Sequence, residues 1–562
     1  MMIEMPPGWI IMAGALLIPL TRGLLRKGTM VALPILALAM IWTLPQGASL
    51  QAGFLEYTLS PLDFTPVGKL FATIFSLMVL VGGIFAMRTA STLELAAAFL
   101  YAGSAIGVTS SGDLISLFIY WELMAIGSTA VVWAGATEGA YKASMRYLFM
   151  HLFGGVILMA GIIWHIQTTG SVEFRVLGLQ GPAQWLILIG FLVNAGAPPF
   201  SAWIADAYPE ASPSGAVFLS AFTTKTAVFT LLIAFPGTGI LIPIGCFMII
   251  YGILYALLEN DARRILAYSI VNQVGFMVVG VGIGSEMALN GAAAHAFAHI
   301  IYKGLLLMTA GAVLYQTGKR RCSDLGGLFH SMPFTTLYGI IGALAISSFP
   351  FTSGFVSKSM ISSSAALEHI TWVWFILAAA SAGVFLHAGV KYPWFVFFQK
   401  DSGLRPAEPP KNMQVAMFIF AFLCIAIGVY PQPLYDLLPY PVAYEPYTAD
   451  HLVTQFQLLL FAGLAFFLLL PMMKRTETIS LDFDWFYRKP GATLVKFLLR
   501  SADKSWQGIE RSLKSSIKLA IKRSYDTEAG QPKGYFGKLW PTETMVVWVA
   551  VLLVGYLLVY YI

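Results

Sequence analysis

The chain has 562 residues, 58% apolar and 14% aromatic but only 11% charged, and its mean hydropathy is +0.75. Soluble globular proteins carry about 25% charged residues, so a soluble enzyme, a disordered chain and a nucleic-acid binder are excluded and most of the sequence belongs in lipid. The net charge of +6, from 34 Lys and Arg against 28 Asp and Glu, is the excess that cytoplasmic loops of membrane proteins carry. Cys246, Cys322 and Cys424 lie far apart, so neither a disulfide framework nor a zinc or iron–sulfur site is expected, and no cofactor is.

A spanning helix needs roughly 20 mostly apolar residues. About sixteen such segments are predicted, at 8–22, 29–45, 66–88, 92–109, 112–134, 145–167, 183–204, 213–234, 240–258, 263–284, 288–315, 335–362, 371–397, 412–431, 451–471 and 543–562. The first carries Glu4 before it and Arg22, Arg26 and Lys27 after it, the reverse of a cleaved signal peptide, and is expected to stay as a membrane helix. Basic residues gather on one side of this segmentation, among them Arg88, Lys142, Arg146, Arg263, Arg264, Arg320, Lys400, Lys474 and Arg475. The other side holds little beyond Lys69, Arg175 and Lys358. Both termini are therefore expected on the outer face of a cell inner (plasma) membrane.

Several ionisable residues fall inside predicted spans, among them Glu122, Lys225, Lys303 and Lys391. Such groups cost roughly 2.5–3.5 kcal/mol each near the bilayer centre and mark ion or proton paths. His295, His299 and Lys303 stand one helical turn apart on one face, a ladder of proton-capable groups. A single buried charge can be a structural ion pair; four on four helices with a His/His/Lys face need a hydrated path. His151 and His165 could extend it or be satisfied interfacial histidines, and His387 precedes Lys391 by one turn.

Proline-containing breaks are predicted in NAGAPPF at 194–200 and in GVKYPWF at 389–395. Freed backbone groups at such breaks line transport sites, and the 197-residue offset between Asn194 and Lys391 suits two inverted five-helix repeats. The stretch 476–540 is the only long polar one. Its lysines and arginines alternate with Ile509, Leu513, Ile517 and Ile521, spaced four apart, which predicts a basic amphipathic helix on the cytoplasmic surface. The alternative is a solvated linker helix. The predicted fold is thus an all-α polytopic membrane protein: N-terminal helices in 1–90, repeats in 91–235 and 236–400, further helices in 401–475, the surface segment 476–540 and a last helix in 541–562.

WELM around Glu122, PPFSAWIADAYPEASPSGAVFLSAFTTKTAV at 198–228, NDARRILAYSIVNQVGF at 260–276, HAFAHIIYKGLLLMTAGAVL at 295–314, DLGGL with MP at 324–333, and SGFVSK at 353–358 together resemble the antiporter-like membrane subunits. These are shared by proton-pumping NADH:quinone oxidoreductase (complex I), membrane-bound hydrogenases and Mrp-type multisubunit sodium/proton antiporters. The resemblance covers about 60–400 and is nearest to the D-type Mrp subunit. It implies that Glu122 pairs with the residue at 194, with Lys225 one helix later, that His295, His299 and Lys303 form the central relay, and that Lys391 is the terminal lysine on the second broken helix. It also implies a hetero-oligomer of membrane subunits that exchanges H+ for Na+ or K+.

Three departures stand out. Position 194 is Asn where relatives carry lysine, Ser201 replaces a histidine, and Ile204-Ala205 replaces Leu-Pro before Asp206. Asn cannot change charge, so either Lys225 partners Glu122 or the first half conducts differently or not at all. Carbonyls at the breaks with Thr223, Thr224 and Asp206 are candidate cation ligands. Three functions remain open: a cation/proton antiporter subunit, the same module in a redox-driven pump, and a non-conducting scaffold.

Overall fold

Capping side chains decide where many of the helices begin. Thr65, Ser91, Asp113, Thr137, Asp261 and Thr448 each accept a hydrogen bond from amides of the turn that follows, satisfying donors that have no partner within the helix. The computed structural model describes residues 5–45, 47–471, 482–525, 527–528, 531–532 and 542–561. Glu4, Lys474, Arg475 and the stretches 476–481 and 533–540 lie outside the described residues.

The helices follow in order: α1 (Pro7–Leu20), α2 (Gly23–Thr43), α3 (Pro66–Ala86), α4 (Thr92–Ser110), α5 (Leu114–Trp133) and α6 (Glu138–Thr169). Next come α7 (Pro182–Ala195), α8 (Ala202–Ala207), α9 (Gly215–Leu219), α10 (Thr223–Ala234), α11 (Leu241–Leu258), α12 (Ala262–Ile283) and α13 (Glu286–Thr317). Then α14 (Pro333–Ile346), α15 (Ser353–Leu367), α16 (Thr371–Val384), α17 (Lys411–Val429), α18 (Gln432–Tyr435), α19 (Ala449–Leu468), α20 (Asp484–Phe486), α21 (Ala492–Tyr525) and α22 (Thr542–Tyr561) complete the set. Twelve of the described helices are long and apolar enough to cross a membrane, counting 215–234 and 371–398 as one each; α1, α7, α14 and α22 are shorter apolar helices. Every predicted segment overlaps one of the described helices. The chain is a multi-pass membrane protein.

A β-hairpin, β1 (Ser49–Phe54) with β2 (Tyr57–Asp63), fills the predicted loop between α2 and α3, its strands antiparallel with Phe54 opposite Tyr57. Its sequence alternates, yet it lacks the Asn-Gly or Asp-Gly turn that marks hairpins. Ser60 of β2 donates its amide to Asp113 at 2.7 Å, tying the hairpin to the start of α5.

Two sets of five, α4 to α10 and α11 to α16, each interrupt their fourth member. In the first set α7 ends at Gly196 and α8 starts after Pro198-Pro199, where the sequence predicts a break. Trp203 Nε1 donates to the carbonyl of Val193 at 2.9 Å, so one freed acceptor is satisfied. In the second set the interruption is at 347–352, between α14 and α15, and not at 389–395. There Pro350 withholds an amide, and Ser348 and Phe351 take positive φ. The expected break instead continues α16 as π-turns over Phe385–Lys391 and Trp394–Phe398. Widened turns let the helix pass Pro393 without opening.

α12 and α13 are buried along almost their whole length, whereas α2 and α19 turn most of their surface outward. Central helices can approach closely where both carry glycine. At the α11–α12 crossing a Cβ on Gly245 would lie 2.6 Å from the carbonyl oxygen of Gly275, and one on Gly275 would lie 2.7 Å from that of Gly245.

The C-terminal unit, 485–562, separates from 1–484. Its helix α21 realises the expected amphipathic segment, with Ile509, Leu513, Ile517 and Ile521 on one stripe.

Gly275→Val should strain the α11–α12 crossing by about 1–3 kcal/mol and reduce the monodisperse peak in fluorescence-detected size exclusion. An unaltered peak would contradict the close crossing.

Candidate functional site

Glu122 on α5 is half-buried, and its carboxylate lies against Gly155 of α6, where an added Cβ would collide with Oε1. Oε1 is buried without a hydrogen-bond partner among the described residues. One turn before Gly155, His151 donates Nδ1–H to Asn194 Oδ1 at 2.8 Å. The position expected to carry the lysine partner of Glu122 therefore holds an imidazole instead. From His151 a polar line continues through the Tyr147 ring, 4.1 Å away, to Thr223, whose hydroxyl is 3.3 Å from that of Tyr147 and 2.6 Å from that of Tyr101.

Lys225 follows two residues later. It is fully buried and donates to the Ser220 carbonyl at 2.6 Å and to Thr224 Oγ1 at 3.0 Å. It is thus bound within its own segment and does not pair with Glu122. Lys303, fully buried on α13, donates to Ser269 Oγ at 2.9 Å and to the Leu266 carbonyl at 3.4 Å. Lys225, His299 and Lys303 lie within one another's electrostatic field. Both ring nitrogens of His299 are buried without a partner among the described residues. His295 sits between Gln273 Oε1 at 3.1 Å and Ser357 Oγ at 3.3 Å, with the Tyr302 hydroxyl also on Gln273. His295, His299 and Lys303 are all buried on α13, and Gln273 and Tyr302 stand beside His295.

Charge counting along the sequence puts Lys358 on the outer side. It is instead 2% exposed on α15, over the Phe276 ring at 5.2 Å and 3.4 Å from the Ile346 carbonyl that ends α14. Lys358, not Lys391, is the lysine of the second interrupted helix, and it acts electrostatically on His295. The signal for it is SGFVSK, which lies inside an apolar segment.

Lys391 lies on the π-turns after α16. Its Nζ donates to the carbonyls of Ala256, Leu257 and Glu259 at 3.1, 2.6 and 2.6 Å, capping the C-terminal end of α11, the pole of the helix that favours a cation. His387 lies in the field of both Lys303 and Lys391, its Nδ1 on the Gly383 carbonyl at 2.8 Å.

Asp206 is engaged by Arg146 through both oxygens, at 2.6 and 2.7 Å. That places it in an ion pair and not among cation ligands. Beside it a charged network joins the two helix sets. Arg263, buried, donates to the carbonyls of Ala211 and Ser212 at 2.8 Å each and of Tyr208 at 3.4 Å, all beyond the first interruption. Arg320 pairs with Glu210 at 2.9 Å and Asp261 at 2.7 Å. Burial pushes the Asp261 carboxyl up, with Arg320 and Arg263 pulling against it. Glu94, also buried, accepts from Ser214 Oγ at 2.5 Å.

Residues 111–385 match the family described as NADH:quinone oxidoreductase/Mrp antiporter, transmembrane. The chain is 29% identical to the D-type subunit of the Na(+)/H(+) antiporter of Alkalihalophilus pseudofirmus over 415 residues, 67% of this chain and 82% of that one. Its fold is similar to a chain of the Mrp complex from a Dietzia species, with a TM-score of 0.68, 19% identity, and coverage of 82% of this chain and all of the other. A chain of an archaeal membrane-bound sulfane sulfur reductase gives a TM-score of 0.72 at 21% identity, covering 99% of this chain and all of that one.

Arg263→Ala should cost about 3–5 kcal/mol, as removal of one member of a buried charge network does. Arg263→Lys should recover little of it, because an ammonium lacks the planar fork that meets several carbonyls. Thermal unfolding in detergent measures both, and melting temperatures equal to the parent would contradict the assignment.

Proposed function

Through residues 111–385 the chain belongs to the NADH:quinone oxidoreductase/Mrp antiporter family of membrane subunits, and on that premise we propose that it is the proton-conducting subunit of a multisubunit monovalent cation/proton antiporter. One observation carries the reading: Lys225, Lys303, Lys358 and Lys391 are buried on carbonyl and hydroxyl acceptors, with His295, His299 and His387 buried as well. Ionisable groups inside a membrane pair with one another or with backbone carbonyls, and such groups mark proton paths. Carbonyl and hydroxyl acceptors favour the ammonium while burial and neighbouring cations oppose it, and that opposition is what lets a proton be exchanged.

The proton path starts at Glu122 with His151, which Asn194 orients where relatives carry lysine. It passes Tyr147 and Thr223 to Lys225, then His299, Lys303 and His295, and leaves through His387 and Lys391, with Lys358 as a side branch. Shifting a proton at one site changes the field at the next, because each group's charged form depends on its neighbours' charge. This movement is coupled to Na+ or K+ exchange with other membrane subunits, in a plasma membrane with both termini outside. The chain does no bond chemistry of its own, and the basic segment 476–540 meets lipid or a neighbouring subunit.

A second reading, a proton-pumping subunit of a redox-driven complex, is favoured by the similar fold in the sulfane sulfur reductase. Mass spectrometry of everything that co-purifies with a tagged copy separates the two. Small hydrophobic subunits alone support the antiporter; flavin or iron–sulfur proteins support the pump.

In vesicles, Glu122→Ala and Lys391→Ala should each lower cation-driven proton movement at least about tenfold with the complex still assembled. Retained transport in both would end the relay reading. Asn194→Lys should leave assembly intact and change the transport rate through the new charge beside His151; loss of assembly would make Asn194 a packing residue.

A further inference from the structure

The C-terminal end of α11 is held in place from outside the relay. Glu259, the residue after α11, uses Oε1 to accept from the amides of Asn260 and Asp261 at 2.9 and 3.1 Å, so its side chain shapes the turn whose carbonyls receive Lys391. Its Oε2 accepts from Arg264 Nε at 2.8 Å, and Arg264 Nη2 donates to the Tyr268 hydroxyl at 3.2 Å. Tyr268 donates to Asp482 Oδ2 and Tyr251 donates to Asp482 Oδ1, each at 2.6 Å. Tyr255, the residue before Ala256, stacks on Tyr268 with ring centroids 5.2 Å apart. The signs alternate from Asp482 through Arg264 and Glu259 to Lys391.

Asp482 is only 7% exposed, and it lies just before the segment leading to α21. Anchoring that segment would not need a charge. Phe483 already packs on Tyr251 at 6.0 Å, and burying a carboxylate is costly unless it is paired and hydrogen-bonded. We propose that Asp482 is a positioning residue for the last step of the relay: its carboxylate clamps Tyr251 and Tyr268, and through Arg264 and Glu259 holds the carbonyl end of α11 in the geometry that receives the Lys391 ammonium. The chain entering the amphipathic segment thereby sets the rate at which Lys391 exchanges its proton.

The inference rests on Lys391 belonging to the relay, so two readouts are taken on the whole complex. Cation-driven proton transport in vesicles should fall at least about fivefold in Asp482→Asn, which keeps the volume and loses the charge, and stay within about twofold of the parent in Asp482→Glu. Hydrogen exchange of the peptide covering 255–260 should be faster in Asp482→Asn than in the parent. If Asp482→Asn does not assemble, Tyr268→Phe, which leaves the carboxylate and its bond to Tyr251, is held to the same thresholds. Unchanged transport or unchanged exchange overturns the inference, as do equal losses in Asn and Glu, the mark of a mere anchor. A parent complex that moves no protons overturns the functional reading itself, and exchange at 255–260 then still decides whether Asp482 holds the end of α11.

Discussion

Each buried ammonium in this protein is met by oxygen atoms that carry no charge. Lys225 has a carbonyl and a threonine hydroxyl, Lys303 a serine hydroxyl and a carbonyl, Lys358 the last carbonyl of α14, and Lys391 three carbonyls at the end of α11. The rest of the architecture follows from supplying those acceptors. Helix interiors have few to spare, since their carbonyls are already bonded four residues on. Apart from Leu266 within α12, the acceptor carbonyls stand at helix ends in mid-structure: the α9–α10 junction for Lys225, the interruption after α14 for Lys358 and the end of α11 for Lys391.

The carboxylates are arranged on the opposite plan. Asp206, Glu210, Asp261 and Glu259 each meet a guanidinium, and they stand around the relay where they fix loops and turns. Glu94 and Asp482 are met by hydroxyls instead, and Glu122 has an oxygen that none of its described neighbours satisfies. Fixed ion pairs thus hold loops and turns, while the buried lysines sit among dipoles. His387, buried between these groups, makes its hydrogen bond to its own helix.

Much of this is legible in the sequence, because lipid makes the relevant signals large. Sixteen apolar runs and the charges within them need only hydropathy and length, and the first interruption announces itself through a double proline after Gly196. Proline alone, however, is not a sufficient sign of a break. Pro393 is absorbed by π-turns, whereas 347–352 opens around Pro350 with Ser348 and Phe351 in left-handed backbone. A break expected at Pro393 leaves Lys358 counted as an outer-loop charge, although it is buried against Phe276. The β1–β2 hairpin and the Asp482 clamp depend on contacts between residues 53 and 231 positions apart, which no local period encodes. That Asn194 cannot change charge is plain from its side chain, but its partnership with His151, 43 residues away, exists only in the packed helices.

The bonds from Arg263 and Arg320 cross between the two five-helix sets, reaching Tyr208, Ala211, Ser212 and Glu210 from α12 and the turn after α13. Rocking the two halves apart as rigid bodies would break these bonds. On the proposed function, access would then be switched on the scale of single side chains and one or two helical turns. Such a frame suits long-range signalling within the bilayer, because a charge moved at one end is felt at the other without the cost of displacing whole helices through lipid.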